Sequence, residues 1–99
     1  MKYNIQYQYY DLGDVQSGQI VEVGLGYAAN VRIMDHLNYN KFQEGKAHQY
    51  LGGYVTCSPY QITIPQDDHW YVVIDLGGNA GKIKSYVHVL PGHLPPATP

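Results

Sequence analysis

Five histidines, His36, His48, His69, His88 and His93, are the side chains of this sequence best suited to proton transfer or metal binding. Asp67-Asp68-His69 is the densest set of metal-capable groups, with Asp35 and Cys57 as further donors near other histidines. No His or Cys pair has the H-x3-H or C-x2-C spacing that turns two ligands toward one ion. Three adjacent residues rarely converge on a metal without a distant fourth. Asp67, Asp68 and His69 therefore read as a solvated turn, and no metal or other cofactor is expected. Cys57 with a distant His could make a nucleophile–base pair, but a lone Cys in an apolar stretch reads as a small core residue. No G-x-S-x-G elbow is present. Asp35 and Asp75 each close an apolar run. They could pair for acid–base work, or accept backbone N–H bonds at loops, with Arg32 a partner for one of them.

Two glycine runs imitate phosphate cradles. Gly24-Leu25-Gly26-Tyr27-Ala28-Ala29 spells G-x-G-x-x-A after Ile20–Val23, and Glu44 follows about twenty residues on. That chemistry needs a helix directly after the glycines, with its N-terminus beneath the pyrophosphate. Here the alternating, β-branched Asn30-Val31-Arg32-Ile33 follows, so the glycines read as a bulge at a strand end. Gly77-Gly78-Asn79-Ala80-Gly81 lacks the Lys-Ser/Thr pair of a P-loop and reads as a hairpin turn.

Tyrosine carries the strongest functional signal. The chain has 11 Tyr against one Phe and one Trp. So many rings with polar tips do not all fit the core of a 99-residue chain. Some must line a surface, and exposed Tyr on a β face suits protein partners or sugars. Tyr7, Tyr9, Tyr10, Tyr39 and Tyr71 are the candidate binding residues.

The elements that must hold these side chains are strands. The chain is organised around His69–Gly78, where Trp70, Val72, Ile74 and Leu76 share one face and Tyr71, Val73 and Asp75 the other. A strand apolar on both faces belongs in the middle of a sheet. Tyr3, Ile5, Tyr7 and Tyr9 alternate with Asn4, Gln6 and Gln8 as a first strand, which raises an unprotected sheet edge as a pairing site. Asp11–Gly18 carries turn residues. Strands follow at 20–25, 29–34, 54–57, 60–64 and 83–89, the next-to-last after an interruption at Pro59. Asn38 is the expected cap of one short helix over 38–44, stopped by Gly45, with Tyr39 and Phe42 on one side.

These segments resemble a known family. Tyr10-Asp11-Leu12-Gly13, Ala29–Asp35, Asn38-Tyr39 with Phe42 and Gly45, Tyr50–Thr56, and His69–Gly81 are similar to the bacterial domain of unknown function 1883 family over nearly all of residues 3–92. The resemblance implies a small jelly-roll-like module that accompanies other domains, and it carries no catalytic residues.

The bulk numbers agree with a single domain. Residues 1–91 are expected to form one antiparallel β-sandwich of jelly-roll type, with about seven short strands and one short helix. Residues 92–99 are expected to be a proline-rich tail or linker stub. Charged residues are 14% and the net charge is −2, so no basic footprint for nucleic acid or anionic membrane exists. A single Cys and no apolar leader or spanning run at the N-terminus point to a reducing cytoplasm. The expected function is a non-catalytic binding or accessory module that engages a protein partner or a second copy through a Tyr-rich face. The alternatives are a carbohydrate-binding module and a small metal-dependent hydrolase built on Asp67, Asp68 and His69.

Overall fold

The computed structural model describes residues 7–77 and 83–91. Seven strands and one helix run in the order β1 (Gln8–Val15), β2 (Ile20–Leu25), β3 (Ala29–Asp35), α1 (His36–Gln43), β4 (Leu51–Val55), β5 (Tyr60–Thr63), β6 (Asp68–Asp75) and β7 (Ser85–Leu90). They form two antiparallel sheets, β1-β6-β3-β4 and β5-β2-β7. The chain changes sheet at every connection except β3 to β4, where α1 intervenes. That alternate winding makes the sandwich a jelly-roll type.

β6 is a central strand, as its composition requires. Its inward residues Trp70, Val72 and Ile74 join Val15, Val21, Val23, Val31, Ile33 and Ile64 in the core between the sheets. Its outward residues Tyr71 and Val73 are buried too, under α1, with Met34, Tyr39 and Phe42. The four-stranded sheet is thus covered on one face by the second sheet and on part of the other by one helix.

Each boundary has a local cause. The first strand runs on to Val15 instead of stopping before Asp11. Asp11–Gly13 is a bulge in the β1–β6 ladder, not a turn. There the Asp11 carboxylate accepts the Gly13 N–H at 2.9 Å, and Gly13 takes φ 68°. Residues 1–6, the start of the expected first strand, lie outside the described residues, as do the glycine run from 78 onward and the proline-rich end at 92–99. The helix starts two residues earlier than expected. Asp35, not Asn38, is its cap, with Oδ1 accepting the Asn38 N–H at 2.9 Å. Gly45 is the stop, at φ 74°. Its N–H reaches the Phe42 carbonyl at 3.1 Å and the Lys46 N–H reaches the Lys41 carbonyl at 2.9 Å, which is a Schellman closure.

β4 ends at Val55, so Cys57 is not a core residue: it is exposed in the loop before Pro59. The G-x-G run makes no phosphate cradle. Gly24 lies in β2 and a Cβ there would stand 1.8 Å from the Tyr86 ring, which packs on the bare backbone. Gly26 bonds to the Lys84 carbonyl, and β3 follows rather than a helix.

Candidate functional site

The outer face of the four-stranded sheet gathers side chains from four elements. Antiparallel pairing sets Asp11 of β1 opposite Tyr71 of β6, and Tyr71 opposite Met34 of β3. α1 then lays Tyr39 on this face. The Tyr39 and Tyr71 rings stack at 4.0 Å and 14°, and the His69 ring stacks on Tyr71 at 4.8 Å and 25°. Tyr9 packs against Tyr39 at 6.1 Å and against Tyr7 at 6.4 Å, while Tyr7 meets Phe42 edge-on at 5.1 Å. The result is one continuous aromatic layer. Its lower members, Tyr39, Tyr71 and Phe42, are buried, and Tyr9 stands 57% exposed at its margin.

A polar set rims this layer. An ionised carboxylate only accepts, so His69 donates its Nε2–H to Asp11 Oδ1. His36, the first helical residue, lies 6.0 Å from His69 ring to ring. Asn40 Nδ2 donates to His36 Nε2 at 3.2 Å, so Nδ1 carries the proton and donates to the Tyr71 oxygen at 3.3 Å. The Gly13 N–H, and beyond it the His69 ring, hold the Asp11 carboxyl below the usual carboxylate range. Burial, then the Asp11 charge, raises the Tyr71 phenol. Burial, then neighbouring Tyr7, raises the Tyr39 phenol well above its ordinary value. These phenols stay neutral and keep their protons for hydrogen bonding. The arrangement presents donors, acceptors and ring edges. No Ser, Thr or Cys side chain bonds to either histidine among the described residues.

On the far side of α1, Arg32 is ion-paired to Asp75 and lies over the Phe42 ring at 5.7 Å and the Tyr50 ring at 5.4 Å. Asp75 is buried and also accepts from Asn30 Nδ2 at 3.0 Å and the Gly77 N–H at 2.8 Å. It is a structural anchor in the way a buried carboxylate must be, fully bonded. Asp35 of β3 and Asp75 of β6 stand at opposite ends of the β3–β6 ladder, opposite Trp70 and Asn30 respectively, and make no carboxylate pair.

Four of the five Tyr singled out in the sequence, Tyr7, Tyr9, Tyr39 and Tyr71, meet in this layer. Tyr10 does not. Its position on β1 points it into the sandwich, where its hydroxyl bonds to Ser85 Oγ at 2.5 Å. Asp67, Asp68 and His69 also part company. Asp67 Oδ1 accepts the Ser17 N–H at 2.7 Å, Asp68 Oδ1 accepts the His69 N–H at 2.7 Å, and His69 turns to Asp11. Among the described residues no group of three or more His, Cys, Asp or Glu side chains is placed to hold a metal ion.

The Asp11–His69–His36 rim was not visible in the sequence. Its members stand at 11, 36 and 69. The one signal that finds it is alternation: Asp11 continues the Tyr7-Tyr9 face and His69 precedes Tyr71 by two.

A family model described as Domain of unknown function (DUF1883) matches residues 5–93. The chain belongs to this family. Comparison with curated proteins and with solved structures gives no match. Among the described residues of this DUF1883 chain no helix is long and apolar enough to cross a membrane, which says nothing of strand-built barrels.

Proposed function

We propose that this DUF1883 domain is a non-catalytic binding module that engages a protein segment, from a partner or from a second copy, along β1 and the aromatic layer beside it. The observation that carries this is the state of Tyr9. A 57% exposed ring rests on a base of stacked, buried aromatics. Such a ring is already ordered, so little conformational freedom is lost when a partner covers it. Aromatic residues of this kind dominate interface energetics.

Position adds to this. β1 is an edge strand of the four-stranded sheet. Between Gln8 and Val15 it has no Lys and no Pro to block an added strand, and Asp11 and Asp14 are its only charges. A segment pairing with β1 would lay alternate side chains over Tyr7 and Tyr9 and bring polar groups to Asp11 and His69. The cytoplasm, where the lone thiol of Cys57 stays reduced, is the compartment this reading favours.

Affinity capture with the full chain against Tyr9→Ala tests the reading, with light scattering on both to score self-association. A bound protein or a dimer lost in Tyr9→Ala supports it. Equal capture by both chains and identical masses would exclude this face.

A further inference from the structure

A cleft of about 250 Å³ opens at one end of the sandwich, where α1 begins. It is separate from the aromatic layer. Asp35 and Asn38 form one wall, Gln49 and Tyr50 the second, and Gln66 the third, with the edge of Trp70 at its base. We propose that this cleft binds a neutral saccharide, one pyranose ring deep.

The lining selects the ligand class. Among the described residues no Lys or Arg borders the cleft, so a phosphate or carboxylate finds no counter-charge there. Asp35 is the only charge among the described residues that line it, which is too little for a metal ion that needs several ligands. Three amide side chains beside one carboxylate offer donors and acceptors at close range. A polyhydroxylated ring uses both, because each hydroxyl donates once and accepts as well. Tyr50, Leu51 and Pro65, which also line the cleft, take the ring's C–H surface. Clefts for drug-sized ligands run to about 300–1,000 Å³; this one fits a single ring with its hydroxyls.

The polar groups are held in place before a ligand arrives. Asp35 Oδ1 is fixed by the helix cap and by Asn38 Nδ2 at 2.9 Å, and its Oδ2 has, among the described residues, a long contact with Gln66 Nε2 at 3.4 Å. Asn38 Oδ1 accepts the Gln49 N–H at 2.8 Å, which ties the second wall to the first. The Gln66 carbonyl accepts from Trp70 Nε1 at 3.1 Å, which ties the third wall to the base. Oδ2 of Asp35 is thus the acceptor best placed for two adjacent hydroxyls.

The experiment follows the indole N–H of the full chain by NMR, a single resonance because Trp70 is the only tryptophan. Glucose, galactose, mannose and N-acetylglucosamine are titrated in turn, with inorganic phosphate and tetramethylammonium as charged controls. At least one sugar is expected to shift the indole and the Gln49 amide saturably, and both controls to leave them still. Asp35→Asn keeps an equally good helix cap and is expected to weaken that binding by roughly tenfold or more; Gln66→Ala should do the same. Tyr9→Ala, which tests the aromatic face, should leave it unchanged. No saturable shift with any sugar, a larger response to either charged control, or full binding by Asp35→Asn would overturn the assignment.

Discussion

Gln8 holds both backbone polar groups of Ile83. Its Nε2 donates to the Ile83 carbonyl at 3.2 Å and its Oε1 accepts the Ile83 N–H at 3.0 Å. A side chain of β1 thereby stands in for a strand where the two sheets meet, and Tyr10 adds a second tie through Ser85. Gln8→Ala leaves both Ile83 groups without this partner in a half-buried place. The expected cost is about 1–3 kcal/mol, read as a lower denaturant midpoint. Faster amide hydrogen exchange at Ile83 distinguishes an opened seam from a general loss.

Trp70 is 3% exposed on the inward face of β6. Trp70→Ala should cost about 3–5 kcal/mol. Against a total of about 5–15 kcal/mol, the variant should be largely unfolded or aggregated. A soluble variant with an unchanged melting curve would contradict the burial assigned to this ring.

The centre of the fold was legible because Trp70, Val72 and Ile74 keep strict period two and Tyr71 and Val73 leave no polar face, so β6 could only be internal. The bulge was not. Asp11-Leu12-Gly13 has the residues of a turn, and the same Asp-to-Gly hydrogen bond and positive φ also make a bulge; which one forms depends on whether β6 lies alongside. The helix start failed for a related reason. Asp35 and Asn38 are both good caps three residues apart, and the choice falls to Asp35 because Asn38 is spent on the Gln49 N–H. The Tyr surplus pointed to a surface, yet it could not sort Tyr10 from Tyr9: neighbours in a strand face opposite ways, and the sheet alone decides which way is in.

Acid should act through Asp11. Its folded pKa lies below its ordinary value of 3.8. Its stabilising effect is therefore present above about pH 4 and lost as pH falls through the lowered folded value. Asp11→Asn should flatten the acid limb of a melting-temperature profile. An unchanged limb would place the acid sensitivity elsewhere.

Alkali should act through Tyr39 and Tyr71. Both phenols are raised in the fold. Their contribution is full below the ordinary value of about 10 and is lost as pH rises toward the folded values. Tyr39→Phe should therefore melt more evenly across alkaline pH than the wild type. Tyrosinate absorbance of the folded chain should show Tyr39 and Tyr71 among the phenols that ionise late, together with Tyr86, which burial and Glu22 also raise.

Chelator is expected to leave the melting temperature where it is, because Asp67, Asp68 and His69 each serve a different protein partner. A large drop restored by zinc would mean that they converge on a metal.

The most direct test of the binding face is a photo-crosslinking amino acid at position 9, compared with one at Tyr86, an exposed ring on the other sheet. Irradiated in the cells that make the protein, the chain labelled at position 9 should give a discrete protein adduct or a crosslinked dimer that the chain labelled at position 86 does not. Equal labelling at the two positions, or none at position 9, would contradict a partner seated on Tyr9.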